Sequence, residues 1–455
     1  MKPLSPDIFR AYDIRGIVDK DFDPEWVEVF GRACGAYFLK NGFSRAVVGH
    51  DARLSSPIYQ ERLAKGMAET GVDVVLVGMV STPVCYFACK HLGTDAGVMV
   101  TASHNPPEFN GFKVIAGPST IYGEEIQALF QMMAAGNFPT GQGIVSTHDI
   151  LPAYVSALTS QTKLSRPIKV VLDGGNGAGG PVTEAVLKGI GAEVISIFCE
   201  PDGNFPNHHP DPVVEKYMTA LIERVKSEGA ACGIGLDGDG DRLGVVDETG
   251  KLMFGDQLLA IYAREVLKDH PGATVIGEVK CSHLAYKDIA AHGGNPVMGA
   301  TGHSLIKARM QETGAKLAGE MSGHMFFADR YLGFDDATYA ALRFLEVLDR
   351  HPEATAGTLL ADWPVTFNTP EIRFDCPEHI KFAVVERAQK HFRALYDMID
   401  VDGVRIVFPD GWGLVRASNT QPVLVLRFEA ESPERLEEIR AVIETPLRGW
   451  IEEMS

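Results

Sequence analysis

The sequence predicts an α/β fold: three consecutive βαβ-type domains with mixed sheets and similar topology, then a C-terminal α+β domain, arranged around a central cleft. The first observation is a repeated pattern of β-branched strand, Gly-rich or charged loop and helix-like segment. Strands that alternate with helices are typical of βαβ units. The second is the length of 455 residues, which suits several domains of roughly 150 residues. The third is the last quarter of the chain, where this alternation stops.

Each copy of the pattern ends where an apolar strand enters a polar loop. Because ligands of such sheets bind at the carboxyl ends of strands, we expect each domain to contribute one loop to a shared cleft. The first copy has strands at 46–50, 72–77 and 96–100, a helix at 57–70 and the loop 101–106; the second has strands at 168–172, 192–198 and 231–235, a helix at 181–189 and the loop 236–242; the third has strands at 273–276 and 316–318, a helix at 284–291 and the loop 319–324.

The fourth region is predicted to be a small α+β domain. Strands are expected at 371–374 and as a hairpin-like pair at 404–408 and 422–429, and helices at 379–395 and 434–453. Strands followed by helices on one face are typical of such domains. The predicted domain boundaries are 1–148, 149–251, 252–363 and 364–455.

The composition describes an acidic chain. Asp and Glu number 60 against 42 Lys and Arg, which gives a formal charge of −18 and a pI near 5.2. A nucleic-acid binder is expected to carry a basic face, so we expect no nucleic-acid partner. A small anionic substrate remains compatible, because exposed charges are screened beyond about 8 Å and a local cluster of Arg and Lys outweighs the overall balance.

The cysteines and the N-terminus predict a cytoplasmic protein. The seven cysteines are scattered and contain no C-x-x-C, which favours reduced thiols over disulfides or zinc. Residues 1–6 lack the apolar region of a signal peptide. The longest apolar runs, such as 74–80, are far shorter than the roughly 18 residues of a membrane span, so we expect no membrane partner.

Three alternating aspartates, Asp237, Asp239 and Asp241, predict a divalent-cation site. Carboxylates this close repel one another, and a hard cation with oxygen ligands compensates them. A solvated acidic turn is the alternative. The spacing also fits an EF-hand loop, but Arg242 stands where that loop needs glycine, and the flanking segments are strand-like. We therefore favour Mg²⁺, which leaves ligand positions for a phosphate oxygen.

Ser103 follows a strand in a Pro-rich turn with His104, Asn105 and Pro106. A serine in such a turn is most often a turn former, but it can also be a nucleophile that needs activation. No G-x-S-x-G surrounds it, so a Ser-His-Asp hydrolase is a poor fit. Adjacent residues on an extended turn point apart, so His104 need not touch Ser103.

A G-x-G-x-x-G sequence matches the dinucleotide-binding fingerprint, with Gly175, Gly177 and Gly180 after a strand and Glu200 about 20 residues on. An NAD-dependent oxidoreductase is therefore a rival hypothesis, and a tight turn closing a βαβ unit is the structural alternative. Asp173 argues against NAD, because it precedes the turn where a pyrophosphate would lie. A third hypothesis, resting only on the aspartates, is a non-catalytic cation-binding protein.

Two further loops carry polar groups suited to a sugar phosphate. Glu320, Ser322 and His324 alternate in a Gly-bracketed loop and suit hydrogen bonds to sugar hydroxyls, although a plain structural loop fits equally well. The segment 416–420 joins a guanidinium, two hydroxyls and an amide, which suits a phosphate clamp or a polar hairpin turn.

Taken together, the motifs resemble one family, the α-D-phosphohexomutases. T-A-S-H-N-P resembles the family's phosphoserine loop, D-G-D-G-D-R its metal loop, G-E-M-S-G-H its sugar-binding loop and R-A-S-N-T its phosphate-binding loop, in the expected order. Residues 107–113 and Asn419 are most similar to the bacterial phosphomannomutase/phosphoglucomutase branch. The alternative branch is phosphoglucosamine mutase, which usually carries Gly at the position of Asn419.

The resemblance implies an intramolecular phosphotransferase that interconverts hexose 1- and 6-phosphates through a phosphoserine and a hexose 1,6-bisphosphate, acting on small sugar phosphates. It implies one Mg²⁺ per chain, and we expect a monomer. The implied residue roles are as follows: Ser103 as phosphoryl carrier and metal ligand with Asp237, Asp239 and Asp241; Arg15 and Arg242 as charge-stabilising residues; Glu320, Ser322 and His324 as sugar ligands; Arg416, Ser418, Asn419 and Thr420 as phosphate ligands; Tyr12, Lys280 and His303 as substrate contacts; and His104, Lys113 and His303 as candidate general acids or bases.

Overall fold

The computed structural model describes residues 1–418 and 422–455, which include the sheets of all four predicted regions. The predicted fold class is confirmed: mixed sheets and helices fill the chain to about residue 350, and an antiparallel sheet with helices follows. Within the described ranges, none of the helices combines the length and apolar character needed to cross a membrane.

The first region is a mixed sheet in the order β1-β5-β4-β2-β3-β7, with β6 beside β5. Neighbouring residues Val47 and Val48 of one central strand enter two different hydrophobic cores, so both faces of the sheet are covered. The elements are β1 (Ile14–Ile17), α1 (Pro24–Lys40), β2 (Arg45–His50), α2 (Ser56–Ala68), β3 (Asp73–Met79), α3 (Thr82–His91), β4 (Ala96–Val100), β5 (Phe109–Ala116), β6 (Ser119–Thr120), α4 (Glu124–Ala135) and β7 (Val145–Thr147).

The second and third regions repeat the mixed arrangement, in the orders β12-β11-β10-β8-β9 and β14-β13-β15-β16. Their elements are α5 (Leu151–Thr159), β8 (Lys169–Asp173), α6 (Gly180–Gly189), β9 (Glu193–Ile197), α7 (Thr219–Glu228), β10 (Cys232–Leu236), β11 (Leu243–Asp247) and β12 (Leu252–Met253), then α8 (Gly255–Asp269), β13 (Thr274–Glu278), α9 (His283–Ala291), β14 (Asn295–Gly299), α10 (His303–Thr313), β15 (Leu317–Gly319), β16 (Met325–Phe327) and α11 (Ala337–Arg350).

The three polar loops have the same topology. Each leaves a strand that pairs in parallel (β4, β10 or β15) and enters an antiparallel partner beside it (β5, β11 or β16). The last cross-strand pairs before the loops are Val100 with Phe112, Leu236 with Leu243, and Gly319 with Met325. All three are therefore hairpin loops whose two ends are fixed by ladder hydrogen bonds.

The C-terminal region is an antiparallel sheet in the order β17-β22-β21-β20-β19, with β18 also beside β22. The expected direct pairing of 404–408 with 422–429 is wrong, because β21 lies between them. The sequence did not indicate this strand because it contains Gly411 and Gly413, and glycine is depleted in strands. In the structure Gly413 is needed, because a Cβ there would lie 2.4 Å from Ile443. The elements are β17 (Phe367–Asn368), β18 (Ile372–Asp375), α12 (Lys381–Arg393), β19 (Asp397–Ile399), β20 (Val404–Phe408), β21 (Gly411–Ala417), β22 (Val423–Ala430) and α13 (Pro433–Met454).

Candidate active site

Ser103 lies at the start of the β4–β5 hairpin loop, with only 2% of its surface exposed. Its backbone is left-handed, with φ of 49°. The extended turn assumed from the sequence is therefore wrong, and His104 Nδ1 lies 3.2 Å from Ser103 Oγ. Ser103 Oγ also donates a 2.7 Å hydrogen bond to Asp237 Oδ2 in the second region. The predicted serine loop and the predicted metal loop are thus in direct contact through Ser103 Oγ.

Arg53 holds the serine loop in this conformation. Its buried guanidinium donates to the backbone carbonyls of Ser103 at 2.8 Å, Asn105 at 2.6 Å, Pro106 at 2.6 Å and Phe109 at 2.9 Å. Asp51 pairs with the same guanidinium at 3.1 Å. Sequence reasoning missed this arginine; the available signal was its position in a D-A-R segment directly after a buried strand.

The three aspartates of the β10–β11 loop are fully buried, and each offers a carboxylate oxygen within 4.8 Å of the others. Burial and the two neighbouring carboxylates raise the pKa of Asp237 well above its usual value. Asp239 Oδ1 is buried without a hydrogen-bond partner in the described part of the chain. An unpartnered carboxylate oxygen inside an all-oxygen cluster fits a hard cation such as Mg²⁺.

Lys113 brings positive charge to these aspartates. Its Nζ lies 2.7 Å from Asp239 Oδ2 and also contacts Asp241 Oδ2. Burial alone would lower the pKa of Lys113, but the two carboxylates outweigh it and raise that pKa. The ammonium is therefore held charged, which favours a role in charge stabilisation over the role of a general base that the sequence left open.

The predicted sugar-binding loop, residues 319–324, contacts the predicted metal loop through His324. Its Nδ1 lies 2.7 Å from Glu320 Oε2 and its Nε2 lies 3.1 Å from Asp241 Oδ1. Burial alone would lower the pKa of His324, but Asp241 and Glu320 raise it to about 9. Ser322 Oγ lies 3.5 Å from His324 Nδ1, so it contacts the same ring.

Two arginines lie beside the serine and metal loops. Arg15, on β1, donates to Asn105 Oδ1 and pairs with Asp13. Arg242 Nε lies 3.2 Å from His324 Nε2 and 4.0 Å from Asp237. Burial and Arg242 together lower the pKa of His104 well below its usual value, which keeps that imidazole neutral beside Ser103.

Tyr12, Lys280 and Arg416 surround the β14–α10 loop. Tyr12 Oη donates to the carbonyl of Thr301 at 2.9 Å. Arg416, at the end of β21, donates to Asp402 Oδ2 at 2.9 Å, and the same carboxylate accepts from the Thr301 backbone N–H at 3.0 Å. Lys280 Nζ lies 3.8 Å from Glu278, whose other carboxylate oxygen accepts from the Thr301 hydroxyl.

The remaining sequence predictions concern His303 and the end of the phosphate loop. His303 opens α10, and its ring lies 5.6 Å from that of His324. Ser418 is buried at the end of the same strand segment as Arg416. Asn419 and Thr420 lie outside the described residues.

The G-x-G-x-x-G turn packs against the metal loop. A Cβ on Gly177 would lie 2.6 Å from the carbonyl oxygen of Gly238, and the backbone N–H of Ala178 donates to that oxygen. Gly179 also approaches the metal loop, since a Cβ on Gly179 would lie 3.2 Å from Gly240 Cα. These glycines therefore allow two backbones to touch, which supports the structural alternative over dinucleotide binding.

Family models match successive parts of the chain. They are described as phosphoglucomutase/phosphomannomutase alpha/beta/alpha domain I at residues 6–139, domain II at 152–250 and domain III at 254–366, and the C-terminal domain at 371–445. The chain belongs to the phosphoglucomutase/phosphomannomutase family. The resemblance drawn from the four motifs is thereby confirmed.

Other members of the family match over nearly their full length. A phosphomannomutase/phosphoglucomutase of Pseudomonas aeruginosa is 45% identical over 447 residues, which cover 98% of this chain and 96% of the relative. A phosphoglucomutase of Neisseria gonorrhoeae is 44% identical, with 98% of each chain covered. The crystal structure of a phosphoglucomutase/phosphomannomutase family protein from Burkholderia thailandensis is 41% identical, covers 100% of this chain and 99% of its own, and gives a TM-score of 0.92.

Proposed function

We propose that the chain interconverts the 1- and 6-phosphates of mannose, glucose or both, with Ser103 carrying the phosphoryl group in the resting enzyme. The observation that carries the proposal is the 2.7 Å hydrogen bond from Ser103 Oγ to Asp237, which joins this hydroxyl to three buried aspartates. Phosphoryl transfer depends mainly on positioning and charge stabilisation. The names of the relatives from Pseudomonas and Neisseria support the same class of substrate.

Asp237, Asp239 and Asp241, with an oxygen of phosphorylated Ser103, would hold one Mg²⁺. The unpartnered Oδ1 of Asp239 and the oxygen-only donor set support this ligand set. The ion would neutralise negative charge on the phosphoryl group. Lys113, Arg15 and Arg242 supply further fixed positive charge around the same serine.

In the proposed reaction, the bond from phosphorus to Ser103 Oγ breaks and a bond from phosphorus to the free hydroxyl of a hexose monophosphate forms. The hydroxyl loses its proton and Ser103 Oγ gains one. The resulting hexose 1,6-bisphosphate turns around in the cleft, and its other phosphoryl group returns to Ser103. His104 is the candidate acid–base group nearest to Ser103 Oγ, at 3.2 Å.

The remaining loops would orient the substrate in both directions. Glu320 and Ser322 provide acceptors and a donor for vicinal hydroxyls, with His324 beside them. Arg416 and Ser418, with Asn419 and Thr420, would bind the phosphate that does not react. Tyr12 and Lys280 would complete the phosphate and sugar contacts, since both lie next to the Thr301 loop that Asp402 links to Arg416.

The phosphoserine is tested by peptide mapping of freshly purified protein. We expect one phosphate on the peptide that contains Ser103, and its restoration there when dephosphorylated protein is incubated with glucose 1,6-bisphosphate. Ser103→Ala should lower kcat about ten-fold or more, whereas Ser44→Ala, at an exposed serine of the same region, should leave kcat unchanged. Phosphate found only on other residues, with full activity of Ser103→Ala, would contradict the proposal.

The substrate is resolved by assays with the 1-phosphates of mannose, glucose and glucosamine. We expect turnover of the first two and little of the third; the reverse order would identify a phosphoglucosamine mutase. The seven cysteines are free thiols, which supports a reducing compartment such as the cytoplasm. The monomeric state is a prediction that analytical ultracentrifugation would test.

A further inference from the structure

A buried group of charged side chains lies behind the predicted substrate contact His303. Lys307 lies one helical turn after His303 on α10, and Asp335 lies in the segment after β16. Tyr86, on α3 of the first region, is the fourth member of the group and contacts Lys307. The exposed fractions are 8% for His303, 3% for Lys307 and zero for Asp335. Neither Lys307 nor Asp335 has a role in the proposed reaction.

Three polar atoms lie around the ammonium group of Lys307. Its Nζ lies 3.0 Å from Asp335 Oδ1, 3.3 Å from His303 Nδ1 and 3.4 Å from Tyr86 Oη, and it lies 4.4 Å from the centre of the Tyr86 ring. A lysine ammonium has three donors and no acceptor. Burial lowers the pKa of Lys307, but the 3.0 Å contact with Asp335 favours the charged ammonium. When this ammonium donates to Nδ1 of His303, the ring proton of a neutral His303 lies on Nε2.

The competing arrangement is a charged His303 paired with Asp335. Asp335 Oδ2 lies 3.7 Å from His303 Nδ1 and has no hydrogen-bond partner in the described residues. Burial, the ammonium groups of Lys307 and Lys113, and the neighbouring His324 oppose that arrangement, because together they lower the pKa of His303 well below its usual value. Asp241 acts in the opposite direction but does not outweigh them. His303 is also the first residue of α10, where the helix dipole disfavours a cation.

We propose that Lys307 is a positioning residue that fixes His303 as the neutral Nε2–H tautomer, so that His303 donates a hydrogen bond to substrate oxygens and does not act as a general base. Within the described ranges, no hydrogen bond occupies Nε2. The N–H would stabilise negative charge on a sugar or phosphoryl oxygen and keep its own proton, as neutral histidines at helix N-termini do elsewhere. The identity of the ligand rests on the proposed function, whereas the tautomer does not.

The tautomer is measured directly by ¹⁵N NMR of the full chain labelled at histidine, with His303→Gln to assign the signal. In the native protein we expect His303 to be protonated on Nε2 at pH 7. Lys307→Arg, which retains a donor, should keep this state. Lys307→Met should give a ring protonated on Nδ1 or on both nitrogens, because only Asp335 then faces Nδ1. Asp335→Asn should keep the native tautomer, since Lys307 can still donate.

Activity provides the second measurement. Lys307→Met should lower kcat about 10- to 100-fold with KM nearly unchanged, because one donor to a charge-bearing oxygen is lost. Lys307→Arg should recover most of kcat, and Lys287→Met, at an exposed lysine of α9, should match the native enzyme. A native His303 protonated on Nδ1, or loss of the native tautomer in Asp335→Asn with Lys307 intact, would overturn the inference even in a fully active mutase. If Lys307→Met does not fold, the native and Asp335→Asn spectra decide alone.

Discussion

At the scale of single residues, the serine loop is held in place by buried hydrogen-bonding groups. Ser103 has a left-handed backbone, a conformation that costs a non-glycine residue roughly 1–2 kcal/mol. Arg53 offsets this cost, since its buried guanidinium binds four carbonyls of the loop. The side-chain oxygen of Ser103 is therefore held beside Asp237, and little ordering of the loop is left for the reaction step.

The ion pair of His208 with Asp173 predicts a pH-dependent contribution to stability at the end of β8, directly before the Gly-rich turn. His208 Nε2 lies 3.0 Å from Asp173 Oδ2, and Nδ1 faces the carbonyl of His209 at 3.0 Å. Burial alone would lower the pKa of His208, but Asp173 outweighs it and raises that pKa above 6.5. The protonated form therefore stabilises the fold below pH 6.5, and the stabilisation is lost as pH rises through the folded pKa.

Denaturant unfolding of the native protein and of His208→Gln between pH 5 and pH 9 tests this expectation. The native protein should be more stable by about 1–3 kcal/mol at the acid end, and the difference should shrink as pH rises. His148→Gln serves as the control, because that histidine is exposed. A difference that grows toward alkaline pH would show that His208 is neutral in the folded protein.

At the scale of secondary structure, the three polar loops share one arrangement. Each is the hairpin loop between a strand with a parallel neighbour and its antiparallel partner. The serine loop, the metal loop and the predicted sugar loop all have this arrangement. The Gly-rich turn after β8 packs against the metal loop. That turn can approach only because Gly177 lacks a Cβ, which would lie 2.6 Å from the carbonyl oxygen of Gly238. The aspartate loop is therefore packed against a segment that carries none of the predicted metal ligands.

Gly177→Ala should weaken Mg²⁺ binding, because the added methyl group must displace the metal-loop backbone. We expect the dissociation constant for Mg²⁺, measured by calorimetry, to rise about ten-fold, in line with other losses of support around metal ligands. The matched control is Gly449→Ala in α13, where an added Cβ meets nothing within 4 Å and helix propensity favours alanine. Unchanged Mg²⁺ affinity in Gly177→Ala would show that the turn does not support the metal loop.

The whole molecule combines a strongly acidic composition with cations near the loops. The formal charge is −18, yet Arg15, Lys113, Arg242, Lys280 and Arg416 are each held by specific acceptors. Such a local field attracts dianions in spite of the net charge. The C-terminal sheet takes part through Asp402, which links Arg416 to the backbone of Thr301 in the third region.

Arg416→Ala tests whether this link serves substrate binding. Since the non-reacting phosphate is bound in ground and transition states alike, KM should rise about ten-fold or more with kcat changed only a few-fold. Arg393→Ala removes an exposed arginine of the same region and should leave both constants unchanged. If Arg416→Ala lowers kcat alone, the arginine acts on the reacting phosphoryl group instead.

The sequence supported the fold class, the strand-to-loop repeats and the aspartate cluster, because periodicity and charge spacing are local signals. It could not reveal β21, because the glycines of this strand are typical of turns. The reason for Gly413, its close packing against Ile443, is a contact with a distant part of the chain. The D-A-R segment pointed to a polar loop, but the sequence could not reveal the role of Arg53, since the four carbonyls that it binds come together only in the folded loop. Contacts between residues distant in sequence, such as Lys307 with Tyr86, leave no pattern in one chain.

The hairpin geometry has a consequence for how such enzymes diversify. A segment such as 320–324 is bounded on both sides by a paired residue, Gly319 opposite Met325, so its composition can vary while strand register stays fixed. The proposed sugar-binding role of this segment therefore predicts that substitutions within these five residues change the preference for one monosaccharide over another while the strand register is kept. Indels there would be far less tolerated, because they would shift the flanking strands out of alignment.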